Sequence, residues 1–244
     1  ESGAMPYAQL HYPFENKEFF EKSFPSDYIV EYIGQTRGWF YTLHVLSNTL
    51  FQSESFKNCI VTGTMMGNDG RKMSKLFKNY PDPKMVLQKY GGDAMRLYLM
   101  SSVIMVGENI NLDEKEFDNQ VKNVLLPLWN SFKYFLTYAN LHDWSPDFSS
   151  LNSQDPLDIW IQNKADQLTA NISGNLEKYN IPEATRLIEP FINDLSRWYI
   201  RQSRDRFVAG NKEALQTLWQ ILVQFSLTTS PIIPFITEYF WQNL

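Results

Sequence analysis

Cysteine is almost absent from this chain: 244 residues contain one, Cys59. No disulfide can form within it, and no cysteine-based zinc site can be assembled from it. Histidine is nearly as scarce. His11, His44 and His142 lie far apart in sequence, so no metal site is expected from them and no zinc. No apolar run approaches the roughly 18 residues a membrane span needs, and no secretory leader is expected from these residues. Positive charge is outnumbered, with 22 Lys and Arg against 27 Asp and Glu and a formal net charge of -5. A chain of that balance is not a non-specific binder of polyanions, and any nucleic-acid contact must come from a local basic face. A starting methionine is missing too. The opening Glu1-Ser2-Gly3-Ala4-Met5-Pro6 reads as a cut out of something longer. The expected setting is a reducing compartment, the cytoplasm, with no membrane partner.

Apolar material is ample. Hydrophobic residues make up 43% and aromatic residues 15%, a globular composition with room for one large domain or two smaller ones. Residues 1–27 show three prolines, scattered aromatics and little periodicity, and read as irregular. The β-branched and aromatic run from Asp27 to Ile33 reads as a strand ending at Gly34. A helix follows from Gln35 to about Phe51, with apolar residues at Trp39, Phe40, Leu43, Leu46 and Leu50. The run Cys59–Met66 is a second strand. Strand, helix, strand predicts a parallel βαβ unit with a right-handed crossover. Ligands of open parallel sheets bind beyond the carboxyl ends of the strands. Here those ends are Glu31–Gln35 and Gly63–Lys75, which should share one edge. The half-sheet should also leave a strand edge and an apolar face uncovered.

Asn68-Asp69-Gly70 signals a turn. Asp82-Pro83 pairs an N-cap with a proline at the first helical position. Gly91-Gly92 ends that helix, and Asp93 is read as the cap of the next, through about Ser102. From about residue 113 the texture becomes helical throughout. Phe117, Val121, Val124, Leu128, Phe132, Phe135 and Ala139 step by three or four, with a kink expected at Pro127. Further helices open at Asp155-Pro156 and Pro182, a fourth carries Ala214, Leu218, Leu222 and Phe225, and a short last one begins at Pro231 and Pro234. The reading is α/β followed by all-α, with residues 1–112 as one domain and residues 113–244 as a helical bundle.

Three segments carry candidate chemistry. Gly70-Arg71-Lys72-Met73-Ser74-Lys75 follows a buried strand in a polar loop, where two lysines can offset charge on a leaving pyrophosphate. By residue type alone a solvated basic turn, which is what most such loops are, is the plainer reading. Glu31-Tyr32-Ile33-Gly34-Gln35-Thr36-Arg37-Gly38-Trp39 occupies the other half of the expected ligand edge. Glu31 and Gln35 offer donors and acceptors there, and the helix that follows offers its N-terminus to a phosphate. A strand ending in a polar turn, with Trp39 as core, is the plain alternative. In Ser196–Phe207, Arg197, Arg201 and Arg204 share one face at steps of four and three. That face could track RNA phosphates or pair with Glu189, Asp194 or Asp205.

Lys72-Met73-Ser74-Lys75 resembles the KMSKS signature of the class I aminoacyl-tRNA synthetases, with Leu76 where serine is usual. The flanking Gly70-Arg71, Asn79-Tyr80-Pro81-Asp82-Pro83 and Tyr90-Gly91-Gly92-Asp93-Ala94-Met95-Arg96-Leu97-Tyr98 resemble the same region of the isoleucine, valine and leucine branches. The wording at Asn79–Pro83 points to isoleucine. The Glu31–Tyr41 segment resembles the adenylate-binding segment of the isoleucine branch. The arginine helix and Ser230-Pro231-Ile232-Ile233-Pro234-Phe235 resemble the anticodon-binding helical domain. The likeness runs through all 244 residues in the family's order.

The resemblance implies the second half of a Rossmann-like nucleotide-binding fold, then a helical bundle that binds tRNA. It implies ATP with Mg2+, isoleucine and tRNA-Ile as ligands, and the remainder of a synthetase chain as partner. Lys72 and Lys75 would act on the phosphates within the loop Lys72, Met73, Ser74, Lys75. Glu31, Gln35 and Trp39 would hold the aminoacyl-adenylate, and Arg197, Arg201 and Arg204 would meet tRNA. Two positions depart from the family's commoner pattern: Tyr32 stands where glycine is frequent, and Gly34 where aspartate is frequent. A ribose contact from a carboxylate is therefore missing. The family's other signature, His-x-Gly-His, does not occur in this sequence, nor does an editing domain. The stretch is expected to be inactive alone. A tRNA-binding module, a reused interaction surface and a valine enzyme are the alternatives.

Overall fold

The computed structural model describes residues 1–67, 69–71, 73, 76, 79–147 and 153–244. Lys72, Ser74 and Lys75 lie outside the described residues. The chain divides into two compact units, Glu1–Asn79 with Val103–Leu112, and Tyr80–Ser102 with Asp113–Leu244. Relative to a single boundary near residue 112, residues 80–102 go with the helices.

The first unit opens with a 3-10 turn at Ser2–Ala4, then α1 (Met5–Ala8) and α2 (Lys17–Ser23). The expectation of irregular chain over residues 1–27 is therefore corrected. These helices are too short to show a period. They are held by packing of aromatics, with Phe20 centred 4.2 Å from Tyr12, 4.8 Å from Phe24 and 5.3 Å from Phe51. Next come β1 (Ser26–Tyr32), a 3-10 stretch at Ile33–Arg37, α3 (Trp39–Phe51) and β2 (Phe56–Thr62). β1 and β2 pair in parallel from Ser26↔Phe56 to Tyr32↔Thr62. Leu43 and Phe40 of α3 are buried, and Gly3 lies so close that a Cβ on it would come within 2.9 Å of Thr42 Cβ.

The second strand is not continuous to Met66. β2 stops at Thr62, and β3 (Met65–Met66) pairs instead with β4 (Ile110–Asn111). Gly63 is the reason: its N–H donates to Ile104 O at 2.7 Å, and a Cβ there would fall 1.8 Å from Glu108 O. Only glycine lets the two backbones approach this closely. Among the described residues β1 pairs on one side only, and Tyr28, Val30 and Tyr32 are exposed along it. The uncovered strand and apolar face expected from sequence are present.

The second unit contains α4 (Pro83–Tyr90), α5 (Gly92–Ser101), α6 (Glu114–Gln120), α7 (Leu126–Leu141), α8 (Pro156–Leu176), α9 (Ile181–Arg186), α10 (Ile188–Asn193), α11 (Ile200–Gln202), α12 (Arg204–Val208), α13 (Lys212–Thr229) and α14 (Pro234–Trp241). Asp82 and Asp155 cap α4 and α8, each accepting at 2.9 Å from the amide two residues on. Leu128, Phe132 and Phe135 of α7, Ile161 and Ala165 of α8, and Leu218, Leu222 and Phe225 of α13 are buried in one core. Phe132 stacks on Phe240 with centroids 4.1 Å apart. Ahead of Pro127 the chain takes a π-helical stretch, Val121–Leu125. Proline brings no N–H and a bulky ring into the helix, and a wider turn accommodates both.

Asp93 departs from its expected role. Gly91 occupies the N-cap of α5, and the Asp93 carboxylate instead accepts from the amides of Phe235 (3.2 Å) and Ile236 (2.8 Å), in the first turn of α14. Arg96, one turn on, donates to Ile232 O at 2.8 Å and Pro231 O at 2.7 Å. The Ser230–Phe235 segment is thus gripped by one face of α5. Among the described residues no helix is long and apolar enough to cross a membrane.

A second polar knot lies inside the bundle. Asp158 of α8 is fully buried and accepts from Tyr199 Oη (2.8 Å) and from both terminal nitrogens of Arg206 (2.8 and 2.7 Å). Burial first, and the Asp158 charge second, push the Tyr199 phenol far above its ordinary pKa. A fork of this kind stabilises only while both charges remain, since removing one strands the other. Asp158→Ala is expected to cost about 3–5 kcal/mol in urea unfolding, and Asp158→Ala combined with Arg206→Met to recover much of that loss. Equal stabilities for the single and double variants would contradict this account.

Candidate functional site

β1 and β2 run parallel, so their carboxyl ends face one edge. A cleft of about 430 Å³ opens there, lined by Tyr32, Thr62, Gly63, Thr64, Met65, Met73 and Ile104. The two sequence segments expected to share this edge do meet in it, through Tyr32 on one side and Gly63–Met73 on the other. Its walls are mainly apolar, with the hydroxyls of Tyr32, Thr62 and Thr64 as polar points. That composition suits a flat, partly apolar ligand held by a few hydrogen bonds.

The three residues read as adenylate ligands sit at the same end of β1 but do not line this cleft. The Glu31 carboxylate is exposed and accepts from the Tyr32 amide at 2.8 Å. Gln35 is engaged by the helix: its Oε1 accepts from the Trp39 amide at 2.9 Å, satisfying one of the free donors at the start of α3. Its amide group is left to donate to a ligand. Trp39 is half-buried and donates from Nε1 to Ser2 O at 3.0 Å. Sequence reasoning passed over Thr62, Thr64 and Ile104. Nothing local marks Ile104, which comes from a segment some forty positions away.

Of the loop Lys72, Met73, Ser74, Lys75, Met73 is described and lies half-buried in the cleft wall. Hydrogen bonds join the two ends of the loop at its neck. Asp69 accepts from the Arg71 amide (3.0 Å), Arg71 Nε (2.8 Å) and Asn79 Nδ2 (2.8 Å). The Gly67 amide donates to Arg71 O at 2.7 Å. Asp69 and Asn79 thereby tie together the two ends of the segment that carries Lys72 and Lys75. The Asn79 hydrogen bond, and then those from Arg71, hold the Asp69 carboxyl at about 2, below its ordinary 3.8.

In the helical unit Arg197, Arg201 and Arg204 are all exposed, with Trp198 exposed among them. Among the described residues none of the three reaches a carboxylate within ion-pair distance. Asp194, one candidate partner, pairs with Lys164 at 3.1 Å. The neighbouring Arg206 turns inward to Asp158 and Asp155. The segment is not one regular helix, since a π-helical stretch spans Asp194–Tyr199, yet it leaves the three guanidinium groups toward solvent. Among the described residues no group of three His, Cys, Asp or Glu side chains is placed to hold a metal ion.

Comparison with known proteins finds two families along the chain. The family described as tRNA synthetases class I (I, L, M and V) matches residues 1–113, and the anticodon-binding domain of tRNA ligase matches residues 158–244. The isoleucine–tRNA ligase of Treponema denticola is 44% identical over 262 aligned positions, covering 100% of this chain and 24% of that protein. Those of Protochlamydia amoebophila and Mycobacterium tuberculosis are 42% and 44% identical, again over 100% of this chain. The chain thus spans about a quarter of the length of these relatives. Among solved structures, the Mycobacterium tuberculosis methionyl-tRNA synthetase in complex with methionyl-adenylate aligns at TM-score 0.76 and 18% identity, over 96% of this chain and 47% of that one. An Agrobacterium radiobacter LeuRS in ternary complex with tRNA aligns at TM-score 0.71 and 19% identity, over 97% and 30%. At that identity the likeness concerns fold: part of a Rossmann-like unit with a helical domain.

The neck of the loop yields a test by titration. A carboxyl depressed in the folded state lends stability that is present above its unfolded value and lost as pH falls through its folded one. The clasp should therefore be intact above about pH 4 and release as pH falls through about 2. Carboxyl-carbon NMR should show Asp69 titrating there, and Asn79→Ala should move it up toward 3.8. An unmoved midpoint in that variant would refute the clasp.

Proposed function

The chain belongs to the class I aminoacyl-tRNA synthetases, and on that premise we propose that it forms one part of an isoleucine–tRNA ligase. In this reading residues 1–112 supply the half of the catalytic domain that bears the lysine loop, and residues 113–244 supply a tRNA-binding helical bundle. The observation that carries the proposal is a coincidence of two independent features. The cleft at the carboxyl ends of β1 and β2 lies between the two segments whose residue patterns match the isoleucine branch, within a chain 42–44% identical throughout to isoleucine–tRNA ligases.

The reaction runs in two steps. The isoleucine carboxylate attacks the α-phosphate of ATP, a bond forms from carboxylate oxygen to phosphorus, and pyrophosphate leaves. A terminal ribose hydroxyl of tRNA-Ile then takes the acyl group and AMP departs. ATP enters as its magnesium complex, in which the metal is held largely through substrate phosphates. Lys72 and Lys75 act electrostatically, offsetting charge on the departing pyrophosphate. Glu31, Gln35 and Trp39 do not line the cleft; in this reading they meet the aminoacyl end of the adenylate where it extends past the cleft. The His-x-Gly-His element does not occur in these 244 residues, so the stretch by itself holds half a composite site and is expected to catalyse near background. A cytoplasmic setting accompanies this reading.

Two measurements test it. Tryptophan fluorescence should report saturable binding of a non-hydrolysable isoleucyl-adenylate analogue, with the valyl analogue weaker by about tenfold or more, the range one methylene allows. Trp39→Phe should remove most of the signal. Equal binding of the two analogues would point to another branch of the family. In the helical unit, tRNA affinity should fall steeply with salt, and each Arg→Ala change at 197, 201 or 204 should reduce the log–log slope by about one. A slope unchanged in the triple variant would remove these arginines from the RNA interface.

A further inference from the structure

The segment that carries Arg197, Arg201 and Arg204 is a helix in pieces. Asp194–Tyr199 is π-helical, Ile200–Gln202 is a three-residue helix, the chain breaks at Ser203, and Arg204–Val208 adds five residues. Pieces this short are marginal without outside support. Yet their inward line is unbroken. Ile188, Ile192, Leu195, Tyr199, Ser203 and Phe207 are all fully buried. They step by four, three, four, four and four, a longer period than the roughly 3.6 residues of a regular α-helix. The π stretch supplies the extra residue. Were it to close into α-helix, everything after it would turn by about 100° relative to the core.

One carboxylate fixes that phase. Asp158, in the first turn of α8, accepts from Tyr199 Oη at 2.8 Å and from both terminal nitrogens of Arg206 at 2.8 and 2.7 Å. Tyr199 closes the π stretch, and Arg206 lies about two turns further on, past the break at Ser203. Asp155 adds a contact to Arg206 at 3.3 Å, and Asn211 Oδ1 accepts from Arg206 Nη2 at 3.5 Å. The clamp therefore spans the stretch that exposes Arg201 and Arg204, with Arg197 and Trp198 exposed just ahead of it. We propose that Asp158 is a positioning residue for RNA: through Tyr199 and Arg206 it selects the π-turn register, and so holds Arg197, Arg201 and Arg204 on one solvent face where each meets a phosphate. The inference rests on the reading of this face as RNA-binding. It gives the buried knot a task that stability does not require, since apolar residues of similar volume fill such a site as well or better. What apolar contacts lack is direction. A phenol and a guanidinium reach one carboxylate in a single register, whereas apolar side chains pack acceptably in several. Phosphate contacts depend on that register, because they fix how a protein sits on its nucleic acid.

The test uses the whole chain and a transcribed tRNA-Ile, with binding followed against salt concentration and unfolding followed in parallel. The informative form replaces the knot by apolar side chains: Asp158→Leu, Tyr199→Phe and Arg206→Met together. It should unfold close to the wild type. It should nevertheless bind the RNA about tenfold more weakly at low salt, with the log–log slope reduced by about one to two. Hydrogen exchange at the amides of residues 200–205 should quicken about fivefold, as the phase of the segment loosens. Tyr199→Phe alone keeps the ring and the Arg206 fork, which spares the core. It should show the faster exchange and a loss of affinity of about threefold, for one hydrogen bond removed. A folded triple form with the wild-type slope and affinity would overturn the positioning role and leave the arginine face standing. Should the triple form not fold, wild-type exchange and affinity in Tyr199→Phe would decide against positioning. Arg201→Ala with Arg204→Ala, in an otherwise unchanged chain, tests the premise: wild-type affinity and slope there would overturn the RNA face itself, and the positioning role with it.

Discussion

Two parallel strands cannot be joined by a tight turn, and the first unit is organised by that constraint. The chain must return to the starting end of the pair before β2 can begin, and α3 is that return. The geometry delivers two consequences at once. Both carboxyl ends arrive at the same edge, where the cleft opens. The start of α3 arrives there too, with Gln35 tied to its first free amide. Gly63 adds the second condition: with no side chain there, the backbone of residues 103–108 closes against β2 and brings Ile104 into the cleft wall. Strand pairing of only seven residues a side therefore gathers cleft-lining groups from three separate stretches of chain.

The helical unit handles charge by a different rule. Burying an ion is costly unless its partner is close and every lone pair is used. The buried Asp158 meets this condition with a tyrosine and both arms of an arginine, and Asp93 meets it with two helix-end amides. Both sites fix which helix lies beside which, because a hydrogen bond to a directed donor is less forgiving than an apolar contact. Arg206 is consumed in this way. Arg197, Arg201 and Arg204, only a few positions before it, are left to solvent, where an acidic chain keeps a local basic face. A net charge of -5 and an exposed basic patch are compatible because the two are set on different length scales: the patch acts within about a Debye length of its own surface.

Much of the architecture was legible in the residues. The strand at Asp27–Ile33, the following helix, the parallel pairing and the caps at Asp82 and Asp155 depend on alternation, period and capping within a few positions. So do the helices of the bundle and the motif at Lys72–Lys75. The short helices of residues 1–23 were not legible, since four and seven residues hold too little of a period and packed aromatic rings hold them instead. Asp93 looked like a cap and is one, but for a helix more than 140 positions away. The stripe read from sequence held Arg197, Arg201 and Arg204; that the nearby Arg206 turns inward to Asp158 was not legible.

The sequence by itself determined which elements form, in what order, and which family pattern they carry, because those properties are written in the chemistry of neighbours along the chain. Tertiary structure alone decided which of those residues face each other. It set Ile104 beside Met73. It turned Gln35 to the amide of Trp39 and Asp158 toward Arg206. Each of these depends on how far two backbones can approach and on which buried polar atoms must find a partner. Such distances are fixed only after the whole chain has packed.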